Sequence, residues 1–239
     1  MIVPKTLYLL DAGNTQLKLA FVEAGVIQWV KRFSTADFAP ESIDGNIPVI
    51  FSSVISEKDL EFLHPHFLTM IELKRTQKLP FEMAYESPNT LGLDRLCNAA
   101  ALAQLESGRP RLAIDLGTCI KCDFVDENGR YLGGSISPGL QMRSKAMATF
   151  TAKLPEVNLH HHTEFIGRNS MACLEIGAYF GWQKEIEAYI AAYQTAYPQC
   201  YIVLTGGDVR HFDLGQKNGI FANENLTFEG MLSLYQFHE

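Results

Sequence analysis

A repeated stretch constrains this chain more than any other feature. Residues 9–23 line up, with one residue deleted, against residues 113–126. In both copies an apolar run ends in Asp-x-Gly followed by a Thr, as Asp11-Ala12-Gly13-Asn14-Thr15 and as Asp115-Leu116-Gly117-Thr118. A lysine comes three residues after the Thr, Lys18 or Lys121, and a Phe-Val pair three residues further on. Gly25 and Gly129 then offer turns into further strand-like runs at 26–33 and 131–137. Each copy therefore reads as a three-stranded meander whose first turn carries an Asp, a Gly and a hydroxyl. A duplication of this kind sets the architecture of the whole chain and not of one element only.

Between and after the copies the pattern changes to helices. Residues 93–106 are rich in Ala and Leu with no Gly or Pro, and Gly108-Arg109-Pro110 stops them. Further helices are expected at 141–150 and 169–193, and a last strand at 201–204 leads into Thr205-Gly206-Gly207-Asp208. The expected fold class is α/β, with two duplicated domains, 1–108 and 109–239, and a ligand cleft between them. A chain of 239 residues with 47% hydrophobic and 20% charged residues can bury such cores throughout.

The net charge of −7 gives no global attraction for nucleic acid. Five cysteines, an odd number, do not suggest a disulfide framework and fit the reducing cytoplasm. No segment approaches the length needed to span a bilayer, so no membrane partner is expected.

An Asp-x-Gly-(Asn)-Thr turn lets backbone N–H groups approach a phosphate, because glycine has no Cβ in the way. A carboxylate beside such a turn would repel phosphate by itself, which points to a shared cation such as Mg²⁺. Alone, one such turn is ordinary hairpin chemistry and Lys18 an ordinary solvated strand residue. Matched Thr and Lys positions in two copies favour a pair of phosphate loops.

At this point the chain resembles the type III pantothenate kinases, of the actin/hexokinase/Hsp70-like nucleotide-binding group. The resemblance rests on Asp11 to Lys18, on Tyr85-Glu86-Ser87-Pro88-Asn89-Thr90-Leu91-Gly92-Leu93-Asp94-Arg95, and on Asp115-Leu116-Gly117-Thr118. It extends through Gly133-Gly134-Ser135-Ile136-Ser137-Pro138-Gly139, Gly167-Arg168-Asn169-Ser170 and Thr205-Gly206-Gly207. It implies actin-like (ribonuclease H-like) domains and transfer of the γ-phosphoryl of ATP to the primary hydroxyl of pantothenate, the first step toward coenzyme A. It also implies a homodimer.

By the same resemblance ATP is bound by Asp11, Ala12, Gly13, Asn14, Thr15, Gln16, Leu17, Lys18, Thr118, Gly206 and Gly207. Pantothenate is bound by Tyr85, Gly92, Leu93, Asp94, Arg95 and Ser170, the last standing where the family usually has Thr. Asp94 is implied as the base, although a carboxylate at a helix head also suits the helix dipole. Arg95 could meet the substrate carboxylate, the transferring phosphate or a surface partner. Mg²⁺ is implied with ATP, and a monovalent cation, K⁺ or NH₄⁺, on Asp115. A nucleotide-binding regulatory protein of the same fold with weak or no kinase activity is the other reading that the residues leave open.

Two features depart from that pattern. Lys121 replaces a Thr close to the second phosphate turn, where it could supply the positive charge of the monovalent cation or extend to solvent. Cys119 and Cys122 form a C-x-x-C, but strand alternation sends the two thiols to opposite faces. His160-His161-His162 and His64-Pro65-His66 read as solvated loops, and Met171, Leu174, Ala178 and Trp182 as an apolar helix stripe for core or subunit packing.

Overall fold

The computed structural model describes residues 4–13, 16–34, 38, 43–53, 61–75, 77–159, 161–162, 164–213 and 219–238. Asn14, Thr15 and His160 lie outside the described residues. The chain divides into two compact units, Met1–Leu105 with Asn225–Glu239, and Glu106–Glu224.

In the first unit the repeat forms β1 (Thr6–Ala12), β2 (Leu17–Glu23) and β3 (Val26–Phe33). These pair as an antiparallel meander, and β1 also pairs in parallel with β4 (Val49–Ser53), which carries β5 (Met70–Glu72). The sheet order is β3-β2-β1-β4-β5. A two-residue strand, β6 (Glu82–Met83), precedes helix α1 (Leu93–Gln104).

In the second unit the repeat forms β7 (Arg111–Leu116), β8 (Cys119–Val125) and β9 (Arg130–Pro138), again an antiparallel meander. Helices α2 (Leu140–Phe150) and α3 (Ser170–Ala196) follow, then β10 (Tyr201–Thr205) and β11 (Ile220–Ala222). The strands of this unit run β11-β10-β7-β8-β9, with β10 parallel to β7 and to β11. The two orders are the same in each unit, so the duplicated α/β architecture read from the repeat is the one observed. Every residue of the central strand β7 is buried, as expected of a strand covered on both faces.

The expected boundary at 108 and the assignment of the C-terminus to the second half need correcting. Helix α4 (Leu226–His238) belongs to the first unit. There Thr227 Oγ1 donates to Asn98 Oδ1 on α1 at 2.9 Å. At Gly230 a Cβ would stand 1.8 Å from the carbonyl oxygen of Cys97, so the two helix backbones touch and only glycine fits.

The stripe on α3 also differs in part. Leu174, Ala178 and Trp182 are buried with Ile186 and Ile190, whereas Met171 is exposed. Trp182 is fully buried, with ring contacts to Tyr179 and Phe212 at 6.1 and 6.0 Å, so this face forms the core of the second unit. His162 is half-buried, its ring 6.2 Å from that of Tyr179 and its Nε2 3.6 Å from Glu175 Oε2, and is not part of a solvated loop. His64 and His66 lie in a 3₁₀ turn, Glu61–His66, not an open loop, and the His66 ring packs 5.6 Å from Phe38. All five cysteines are free thiols, Cys122 buried and Cys119 half-buried.

The β8–β9 turn is built on Asp126. Its Oδ1 accepts from the amides of Asn128 and Arg130 at 3.0 and 2.8 Å, and its Oδ2 from Arg130 Nε at 2.8 Å. Burial pushes this carboxyl up, but the hydrogen bonds and charge of Arg130, with the Asn128 amide, outweigh it and hold the pKa below its ordinary value. A carboxylate whose folded pKa is depressed stabilises fully above the unfolded pKa of about 3.9 and loses that contribution as pH falls through the folded value. Asp126→Asn is expected to cost about 1–3 kcal/mol at pH 7. Urea unfolding of the two proteins should show the gap narrowing below pH 4, and an equal gap at pH 7 and pH 3 would contradict this account.

Candidate functional site

The register of each meander places the Asp of the turn directly opposite the Lys, Asp11 against Lys18 and Asp115 against Lys121. The one-residue deletion falls in the turn. Residues 13–16 bridge the last paired positions in the first copy, and 117–119 in the second. Gly13 N–H donates to the Gln16 carbonyl at 3.2 Å, and Gly117 N–H to the Cys119 carbonyl at 3.2 Å.

In the first unit Lys18 Nζ lies 3.6 Å from Asp11 Oδ2. Ala12, Leu17 and Leu93 are buried, so only their backbones can meet a ligand. Gln16 is exposed at the turn. Asp94 sits in the first turn of α1 behind the cap residue Gly92, and its Oδ1 accepts the Arg95 amide at 2.9 Å. Burial first, then the nearby carboxylates of Asp11 and Asp94, push the Cys97 thiol well above its ordinary range. Arg95 is only 5% exposed, with its guanidinium 6.0 Å from the centre of the Tyr85 ring, which excludes a surface ion pair.

In the second unit Lys121 Nζ lies 2.7 Å from Asp115 Oδ2, with 16% and 11% of the two side chains exposed. Lys121 therefore does not extend to solvent. Thr118 is exposed at the turn, and its carbonyl accepts the Gly139 amide at 3.1 Å. Thr205 is the parallel partner of Asp115, which lays the Gly206-Gly207 segment along the same turn. Asp208 N–H donates to the Leu116 carbonyl at 2.8 Å. Gly206 has φ +96°, and a Cβ there would stand 2.4 Å from the Leu116 oxygen and 2.5 Å from Asp115 Oδ1. Ser170 begins α3, whose cap Asn169 accepts the Ala172 amide at 2.9 Å.

Asp208 has no place in the set expected from sequence. Burial raises its carboxyl pKa, and Asp115 adds to the rise while His211 and Arg210 oppose it. Its position directly after Thr205-Gly206-Gly207 is the only sequence signal that could have marked it.

A family model described as type III pantothenate kinase matches residues 7–192, a span that takes in both turns and the head of α1. The chain belongs to the type III pantothenate kinase family. It is 34% identical over 232 residues to a type III pantothenate kinase of Cytophaga hutchinsonii, covering 96% of this chain and 98% of that protein. The corresponding protein of Flavobacterium psychrophilum is 35% identical over 237 residues, with 96% and 98% covered. A solved structure of a Baf family protein from Campylobacter jejuni has a TM-score of 0.60 at 19% identity, covering 97% of each chain, and shares the fold.

Gly206→Ala meets both a positive φ and two atoms already in place. It is expected to lower stability by roughly 2 kcal/mol or more. Calorimetric melting checks this, and a change below about 0.5 kcal/mol would mean that the Asp115 turn yields readily.

Proposed function

We propose that this chain transfers the γ-phosphoryl group of ATP to the primary hydroxyl of pantothenate, giving 4'-phosphopantothenate, the first step of coenzyme A biosynthesis. The observation that carries this reading is that the family match spans Asp11, Asp94 and Asp115 together.

Phosphoryl transfer asks a protein mainly to position groups and neutralise charge. The turn from Asp11 to Lys18, with Asn14 and Thr15, holds phosphates by backbone N–H groups, hydroxyl and ammonium. In the second unit Thr118 and Gly206-Gly207 are assigned to ATP binding. Mg²⁺, a hard ion that takes oxygen ligands, would supply charge neutralisation to the phosphates of ATP. The Asp11 carboxylate at the end of β1 is a suitable protein oxygen for it.

The pantothenate hydroxyl oxygen bonds to the γ-phosphorus as the bond to the β–γ bridging oxygen breaks and ADP leaves. Asp94 takes the hydroxyl proton in the course of that step. A carboxylate of ordinary pKa, about 3.9, cannot deprotonate an alkanol in advance. The Arg95 amide on Oδ1 orients this carboxylate at the head of α1. Arg95, buried beside Tyr85, is assigned to the pantothenate carboxylate, a geometry that suits a planar guanidinium. Gly92, Leu93 and Ser170 complete the substrate set. Free thiols and an ATP-dependent reaction agree with a cytoplasmic location.

We also assign a homodimer. The buried α3 stripe cannot form its interface, but Phe150, Phe165 and Ile166 are 86%, 75% and 67% exposed in the second unit. These are the apolar side chains of that unit that an association surface would bury.

Asp94→Asn keeps the side chain's shape and removes the base. Turnover in a coupled ADP-release assay with pantothenate should fall roughly 10²-fold or more, with ATP binding kept. Turnover within a few-fold of wild type would exclude Asp94 as the base. Light scattering at micromolar concentration should give about twice the chain mass, and a fully active monomer would rule the dimer out.

A further inference from the structure

The two Asp–Lys pairs are not equivalent. At the first turn the ammonium stands 3.6 Å from Asp11; at the second it is 2.7 Å from Asp115 Oδ2. The other oxygen, Asp115 Oδ1, lies beside two glycines: a Cβ on Gly206 or Gly117 would stand 2.5 or 3.5 Å from it. One oxygen of the carboxylate thus faces glycine and the other carries a lysine.

A monovalent cation on Asp115 needs an open lone pair and room for several further oxygens. Here the place beside Oδ2 is filled by a positive charge, and a second monocation would be pressed against it. The residues do not fit a K⁺ or NH₄⁺ site. The chemistry of the spot still calls for a cation, because the Asp208 amide bonds to the carbonyl of Leu116, next to Asp115, and so brings a second, half-buried acidic residue to the second turn. Left uncompensated, that acidic pair would repel a triphosphate.

We infer that Lys121 is a tethered monovalent cation: its ammonium on Asp115 takes the place of K⁺ at the second phosphate turn and makes nucleotide use independent of monovalent salt. An ammonium group and a potassium ion have similar size and both are met by oxygen atoms, so one can take the other's position. The lysine differs in being held by the β8 backbone, so no ion has to be recruited from solution. Lys121 acts as a positioning residue, through Asp115 and the charge it sets under Gly117-Thr118. The inference rests on the ATP-dependent reading above.

The test compares wild type with Lys121→Thr in KCl, NaCl and choline chloride at equal ionic strength. Two readouts are used: ADP release with pantothenate, and the melting shift produced by Mg²⁺ with a non-hydrolysable ATP analogue. Wild type is expected to vary by less than about two-fold across the salts, with the same melting shift in each. Lys121→Thr should lose roughly tenfold or more in kcat/KM for ATP in NaCl and choline chloride, mostly through KM, and recover in KCl. Its melting shift should become specific to K⁺. Lys121→Met, which removes the charge and leaves no cavity for an ion, should be weakened in all three salts.

Wild type losing most of its activity or its melting shift without K⁺ would overturn the inference. So would a Lys121→Thr protein that matches wild type in choline chloride. Should wild type bind the analogue but not phosphorylate pantothenate, the kinase reading fails, and the melting arm still decides the role of Lys121. A Lys121→Thr protein that does not fold leaves the wild-type salt series to decide.

Discussion

An aspartate held across an antiparallel ladder from a lysine is the contact on which both Asp-x-Gly turns depend. The pairing is a matter of register, Asp11 with Lys18 and Asp115 with Lys121. A slip of one residue would turn every side chain of the strand to the other face and separate carboxylate from ammonium. Both faces of β1 and β7 are packed, with Leu9, Leu10, Leu112 and Ile114 fully buried, so such a slip would also have to exchange the side chains of two packed layers. Core packing and the chemistry of the turn therefore share one constraint.

The same local pattern gives two electrostatic settings because its surroundings differ. At the first turn the lysine stands further off, 3.6 Å from Asp11 Oδ2, and the Asp11 charge helps raise the pKa of the buried Cys97 thiol. At the second, the return of β10 alongside β7 brings Gly206 onto the Asp115 oxygen and Asp208 onto the neighbouring backbone. Crowding of this kind favours a tight ion pair over a hydrated ion, because desolvated charges interact more strongly than solvated ones. Both turns keep an exposed residue, Gln16 and Thr118, and the second is also flanked by segments far away in sequence.

The helices show how chain order and spatial grouping separate. The last helix of the chain packs on the first, through Thr227 to Asn98 and through Gly230 against Cys97. Asp94 and Cys97 belong to that first helix, so the segment 225–239 buttresses the element that carries the proposed base. On α3 the apolar residues are spent on an internal core around Trp182, and the exposed aromatic residues lie instead on and after α2.

The repeat by itself determined the meanders and the opposite orientations of Cys119 and Cys122, because strand periodicity and turn chemistry are local. The helix expected at 93–106, observed over Leu93–Gln104, and the place of Asp94 at its head followed from composition, which is local too. Only the tertiary structure decided that α4 joins the first unit, that Arg95 is buried against Tyr85, that His162 packs on Tyr179 and that Asp208 stands beside Asp115. It also decided that Lys121 closes on Asp115 and does not reach solvent. Each of these depends on contacts between segments distant in sequence, and a free energy set by which backbone lies over a given carboxylate leaves no trace in the spacing of residues along the chain.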